Sequence, residues 1–154
     1  MAAARRAARI SLARAGGSRE ASAELNFTSY AAGGLEMQDP ELARRFAQEW
    51  IDAWNSHDLE RIFSHYTDDF EMSSPFIVER MHEPSGTLKG KAAIRPYWEK
   101  GLAADPSLRF ELEAALSGVD SLTILYRTAS GRRVAEVVVF NEQRQVIKGL
   151  AHYE

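Results

Sequence analysis

The sequence predicts an α+β fold, with helices first, a sheet last and a pocket between them. Three observations predict it. The stretch Trp50–Tyr66, WIDAWNSHDLERIFSHY, followed by TDDFEMSSP, reads as an aromatic-faced helix, a polar break, a short second helix and a strand ending at a proline. After Gly90 a further helical stripe, Ile94, Trp98 and Leu102, recurs every four residues. The last third switches to period two, with four β-prone runs joined by short turns. Two amphipathic helices closing over a strand make one wall of a cavity, and a curved sheet makes the other. Such a domain either holds a small apolar molecule or transforms it.

Each element has a local cause. Asp39-Pro40-Glu41 is a helix entry: an acceptor at the N-cap, proline at the first helical position, and an acid favoured by the helix dipole. Leu42, Phe46, Trp50 and Trp54 then repeat every four residues beside Ala43, Ala47 and Ile51, with charged residues outside. Asn55-Ser56-His57 breaks the helix, and Asp58 starts a shorter one through about Ser64. Asp68 to Ser73 reads as a strand with Phe70 and Met72 on one face. From Pro75 to Lys89 the pattern weakens, and Glu83-Pro84-Ser85-Gly86 is turn chemistry, so the segment reads as a hairpin or mobile flap. Gly90 opens the third helix, Pro96 should remove one of its hydrogen bonds or bend it, and Asp105-Pro106 ends it. Leu108, Phe110, Leu112 and Ala114 alternate with charged residues. Ser121–Arg127, Val134–Phe140 and Val146–Tyr153 follow as an antiparallel meander.

Composition narrows the function classes. A chain of 154 residues suits one domain with its own core. It has no cysteine, which rules out disulfides, thiolate chemistry and Cys-ligated zinc. The formal charge is −3 and is unevenly divided. Residues 1–36 carry Arg5, Arg6, Arg9, Arg14 and Arg19 against Glu20, Glu24 and Glu36, which leaves −5 on the remainder. A mildly acidic body argues against a nucleic-acid partner, and no apolar run approaches the roughly 20 residues that span a bilayer. A cytoplasmic protein is expected. Residues 1–36, rich in Ala, Arg, Gly and Ser, are expected to be a disordered tail or an extension from an upstream start ahead of Met37, with a transit peptide as the alternative. Residues 37–154 are then the domain. No His-x-His or His-Glu-x-x-His pattern suggests a metal, and no glycine-rich loop suggests a phosphate or nucleotide cofactor.

One residue stands out without any family argument. Glu136 shares a strand face with Val134, Val138 and Phe140. A carboxylate there is costly unless it is paired, protonated or facing a wet cavity. The plainer reading is a solvent or dimer face, or a salt bridge to an arginine such as Arg127.

Three segments carry a resemblance: WIDAWNSHDLERIFSHYTDDFEMSSP, GTLKGKAAIRPYW and VVVFNEQRQVIKGLAHY. In order and spacing they resemble the SnoaL-like branch of the nuclear-transport-factor-2-like superfamily, which also contains ketosteroid isomerase. The resemblance covers about residues 37–154. It implies a cone, a curved antiparallel sheet wrapped around three N-terminal helices, with a pocket at the open end. It also implies a homodimer paired through the outer sheet face. The superfamily includes isomerases, dehydratases, cyclases, epoxide hydrolases and noncatalytic binders, so the fold alone names no reaction.

Position by position, the resemblance sets roles. The isomerase's general-base Asp precedes the proline ending the first strand, and here that position is Ser74. Serine cannot take a proton from carbon without a base of its own, so steroid isomerisation is not expected. The isomerase's protonated acid corresponds to Glu136. Its oxyanion-hole tyrosine corresponds to Trp50, which could donate only through its indole N–H. Two further pocket positions correspond to Tyr66 and Trp98. Trp50, Trp54, Tyr66, Phe70 and Trp98 would line the cavity with aromatic walls, joined by Met72, Phe110 and Tyr153. For any one of these, core packing is the competing reading. By register Tyr153 faces the cavity, with Gly149 and Ala151 leaving room beneath it, and His152 lies outside. His57 looks like turn chemistry, His65 is a candidate acid–base partner, and His82 lies in the flap.

The expected function is that of a small-molecule pocket protein; as an enzyme it would be a cofactor-independent acid–base isomerase, cyclase or hydrolase acting on a hydrophobic substrate. Glu136 would be the proton donor or acceptor, Tyr66, Trp50 and Tyr153 would position an oxygen, and Ser74 would hydrogen-bond rather than abstract a proton. The alternative is a noncatalytic module that binds a small apolar or aromatic ligand, or a dimeric interaction protein whose own side chains fill the cavity.

Overall fold

The computed structural model describes residues 39–154; the expectations for residues 1–36 lie outside the described residues. Helix α1 (Pro40–Ser56) starts where predicted, with the Asp39 carboxylate accepting the Glu41 N–H at 2.9 Å. Its most deeply buried line is Ala43, Ala47, Trp50, Ile51 and Ala53, so Leu42, Phe46 and Trp54 flank that line. His57 ends the helix in the left-handed conformation, φ 59°. The Asn55 side chain then acts like a strand partner. Its amide donates to the Phe110 carbonyl at 3.0 Å and its oxygen accepts the Phe110 N–H at 2.8 Å. That clamp ties the end of α1 to the start of the sheet's far edge.

Asp58 caps α2 (Leu59–Phe63), and β1 (Tyr66–Ser73) follows. The segment expected to be a flap is ordered differently. Ser74-Pro75 is a second cap-and-proline entry, here with serine in place of the Asp39 carboxylate, and α3 (Pro75–Met81) forms behind it. Its seven residues are too few for periodicity to reveal. Only the end of the segment is a hairpin: β2 (Thr87–Lys89) pairs antiparallel with β1. Gly90, at φ +82°, opens α4 (Lys91–Ala104), and Pro96 sits on its exposed side without ending it.

The sheet is completed by β3 (Phe110–Gly118), β4 (Ser121–Thr128), β5 (Arg133–Phe140) and β6 (Val146–Tyr153). The strand order is β2-β1-β6-β5-β4-β3 in one curved, unclosed sheet. The meander of β3 to β6 is antiparallel as expected, but β1 joins β6 in parallel. That one parallel pair delivers Ser74, at the end of β1, beside Tyr153, at the end of β6. Inward residues alternate strictly on the central strands. Leu122, Ile124 and Tyr126 on β4 and Val134, Glu136, Val138 and Phe140 on β5 are all buried. Helix α1 packs across this inner face. No helix among the described residues is long and apolar enough to cross a membrane.

Candidate functional site

Between the helices and the inner sheet face lies a cavity of about 230 Å³, partly open to solvent. Trp50 and Trp54 come from α1, Trp98 and Tyr97 from α4, Phe110 from β3, and Tyr126 from β4. Met72, Glu136 and Tyr153 reach in from β1, β5 and β6. Edge and tilted contacts hold the rings: Trp54 to Trp98 at 5.0 Å between centroids, Phe110 to Tyr126 at 4.4 Å.

Glu136 is the most unusual group in the cavity. It is 3% exposed, and among the described residues its carboxyl has no hydrogen bond or ion pair. Arg127, the sequence's candidate partner, lies on the other face and binds Glu113 at 2.7 Å. Burial alone pushes the Glu136 carboxyl up to about 8. At neutral pH it is therefore mainly the neutral acid, able to donate a proton. Gly149 makes room for it: a Cβ there would meet the Met72 sulfur at 3.0 Å and Glu136 Oε1 at 3.4 Å. The space over Gly149 thus belongs to Met72 and Glu136 rather than to Tyr153.

Four phenols surround this acid. Burial raises all of them, and the Glu136 charge raises each further, so they are neutral donors throughout the physiological range. Trp50 Nε1–H donates to the Tyr66 hydroxyl oxygen at 2.8 Å. The Trp50 donor is therefore committed to Tyr66 and not available to a ligand, whereas the Tyr66 hydroxyl hydrogen remains to be given. Ser74 works in a similar way. Its Oγ caps Phe76 N–H at 3.2 Å and accepts from the Tyr97 hydroxyl at 3.0 Å. Its own hydrogen then points to the Tyr153 hydroxyl, 3.4 Å away, which leaves the Tyr153 proton free. Ser74 is buried but does not line the cavity, so its place is behind the two phenols.

Trp54 holds a different signal. Its Nε1 is buried and has no hydrogen-bond partner among the described residues. It exerts a small lowering effect on Tyr66, so it faces that hydroxyl, yet the geometry stops short of a bond. An orphaned buried N–H beside a cavity is an uncommon feature that an acceptor oxygen would satisfy.

Phe70 departs from expectation. It is fully buried and packed on Tyr66 at 4.4 Å, and it lies behind the cavity wall rather than in it. The β1–β6 register slips between Tyr66 and Glu71, so positions along β1 do not project into one space. The histidines all fall outside the lining. His57 holds the Leu108 carbonyl at 2.8 Å, and His65 sits 3.1 Å from the Ile62 carbonyl with Phe46 edge-on to its ring. His82 caps α3, and His152 is exposed opposite Ala135.

Sequence reasoning did not single out Tyr97, Tyr126, Phe76, Arg80 or Arg132, which also line the cavity. Tyr126 had a signal, the alternation Leu122, Ile124, Tyr126. Tyr97 lies three residues from Ile94, beside the stripe. Arg80 and Arg132 had none, because they meet only through the fold. Among the described residues no group of three or more His, Cys, Asp or Glu is placed to hold a metal ion.

A family model for the SnoaL-like domain matches residues 47–154, and the chain belongs to that family. A SnoaL-like protein of unknown function from Burkholderia thailandensis is 54% identical, with a TM-score of 0.71 over 74% of this chain and 95% of that one. At 17% and 16% identity the likeness is of fold alone. Bal32a, from a soil-derived mobile gene cassette, has a TM-score of 0.60 over 74% of this chain and 90% of its own. SalBIII, an epoxide hydrolase/cyclase-like enzyme in pyran ring formation in the polyether salinomycin, has a TM-score of 0.58 over 76% and 94%. No curated protein matches the chain.

Proposed function

We propose that this protein is a cofactor-independent acid–base enzyme acting on a small hydrophobic substrate. The observation that carries the reading is Glu136: an unpartnered carboxyl, buried in a cavity and held near the pH at which it can both give and take a proton. Tyr66 and Tyr153 would hold an oxygen of the substrate through their free hydroxyl hydrogens, with the orphaned Trp54 N–H as a further donor. Ser74 acts as a positioning residue for Tyr97 and Tyr153. A cavity of about 230 Å³ lies below the usual range for ligand pockets and favours one or two rings over a larger polycycle. The chemistry fits opening of an epoxide or lactone ring by water or a substrate hydroxyl: the nucleophile's oxygen bonds to carbon as the ring C–O bond breaks, Glu136 gives its proton to the departing oxygen, and the resulting carboxylate takes the proton that the nucleophile loses. SalBIII supports that class by fold likeness only.

Ser74 favours a second reading. Without a carboxylate at the strand end, Glu136 is the one buried acid lining the site among the described residues, with the exposed Asp105 at its edge, and a binding module needs no more. We also propose a homodimer through the outer sheet face, where Leu125, Val137, Val139 and Leu150 are only half-buried in the single chain.

Carboxyl-carbon NMR across pH 4–10, assigned with Glu136→Gln, separates the readings. A midpoint near 8 together with turnover of small epoxide or lactone substrates that vanishes in Glu136→Gln supports the enzyme. A midpoint in the ordinary carboxylate range would sink the catalytic role and leave the binding module.

A further inference from the structure

Two arginines converge on one ring at the cavity. Arg80, in the last turn of α3, places its guanidinium carbon 4.8 Å from the Phe76 ring centroid, and Arg132, from the β4–β5 turn, lies 5.8 Å from the same centroid. Both line the cavity, and so does Arg109. Among the described residues neither Arg80 nor Arg132 has an ion pair. Of the two carboxylates nearest this cluster, Glu113 is ion-paired elsewhere and Asp105 keeps its charge at the cavity edge. Glu113 binds Arg127 and Arg133 at 2.7 and 3.0 Å, so Arg133 is neutralised while its neighbour Arg132 is not. Asp105 lines the cavity, and its Oδ1 is occupied by the Ser107 N–H and hydroxyl at 3.1 and 2.7 Å.

The seat for Arg80 is shaped by a neighbouring helix. A Cβ on Gly101 would come within 3.2 Å of Arg80 Nη1, so the α4 wall is cut back where the guanidinium lies. Phe76, under both cations, packs edge-on to Tyr153 at 4.6 Å, which joins this cluster to the phenol side of the cavity. Two unpaired cations near one ring raise the positive potential there, and the ring's attraction is weak at exposed sites, so an anion at this rim is favoured. The arrangement is a positive rim on an aromatic cavity, in a domain whose sequence is otherwise net acidic.

We infer that the ligand is a small, flat, apolar carboxylate, its ring body among the aromatic side chains and its anionic group held between Arg80 and Arg132. A planar carboxylate matches the fork of donors on a guanidinium, and the aromatic walls match a one- or two-ring body. The inference rests on the proposed reading of the cavity as a ligand site and adds the class of molecule that enters it.

The test compares 2-naphthoate with its neutral counterpart 2-naphthamide by calorimetry on the full chain at pH 7 and low salt. Wild type is expected to prefer naphthoate by about tenfold, consistent with one or two partly exposed ion pairs. In Arg80→Gln/Arg132→Gln the preference should fall to within about twofold while naphthamide affinity holds, and in wild type it should shrink at high salt. Arg132→Gln alone, at an exposed turn, keeps the test available if the double variant misfolds. Equal affinity for the two compounds, or a preference that survives in the variants, would overturn the arginine subsite and leave the cavity reading standing. Binding of neither compound would overturn both.

Discussion

Glu113 on the outer face of the sheet and Glu136 on the inner face are the same residue in opposite surroundings. Glu113 is exposed, accepts from Arg127 and Arg133, and is held below the ordinary carboxylate range by those hydrogen bonds and charges. Glu136, two strands away, has no partner and is raised to about 8 by burial. The outer glutamate is a solvated surface charge. The inner one keeps its proton to a higher pH, because a group that cannot be solvated or paired lowers its free energy by keeping its proton. One sheet thus makes two chemistries from one side chain, and the deciding variable is which face it projects from.

The largest expected effect breaks this contrast at its inner end. If the enzyme reading holds, Glu136→Gln should lower kcat by about 10²–10⁴, the usual contribution of a general acid or base, with binding nearly intact. An unchanged kcat would mean that the proton comes from elsewhere. The second effect is on stability. Because the folded Glu136 holds its proton more tightly than the unfolded chain, stability is greatest below about pH 4.5 and falls as pH rises towards 8. The total loss is on the order of 3–5 kcal/mol. Urea unfolding at pH 5, 7 and 9 should show this slope in wild type and a flat line in Glu136→Gln.

Smaller effects sharpen the comparison. Ser74→Ala removes a helix cap and loosens Tyr97 and Tyr153, at a cost of about 1–2 kcal/mol. Its distinguishing mark should be a raised KM, since both phenols lose their anchor. Trp54→Phe deletes the orphaned donor, so unfolding should shift by less than about 1 kcal/mol while affinity for an oxygen-bearing ligand drops. A large loss of stability would show that the indole is packing only. Glu113→Gln should move the unfolding midpoint least of all, and only above the pH at which Glu113 ionises. Its contribution is lost as pH falls below the ordinary carboxylate range, the reverse of the Glu136 slope. The sign difference between the two variants is the sharpest single check on the two-face picture.

Much of this was legible in the sequence, and the reason is local. Asp39-Pro40, the four-residue aromatic stripe, Gly90 and the alternating last third each specify an element through nearest neighbours. Glu136 was conspicuous because alternation places it on a face with Val134, Val138 and Phe140. Where information was not local, the reading ran out. Helix α3 is too short to show a period, and its cap, Ser74, looked like the end of a strand.

The sequence by itself determined that a carboxyl would lie on an apolar strand face, within an α+β chain rich in aromatic side chains. Only the tertiary structure decided that this face is the inside, because β1 enters the sheet in parallel beside β6 and α1 closes over it. It also decided that Trp50 donates to Tyr66, that Phe70 lies behind the wall, and that Arg80 and Arg132, far apart in sequence, share one ring. Periodicity reports which way a side chain leaves its own element. What it meets there depends on how elements distant in the chain are brought together, and that is a property of the packed whole.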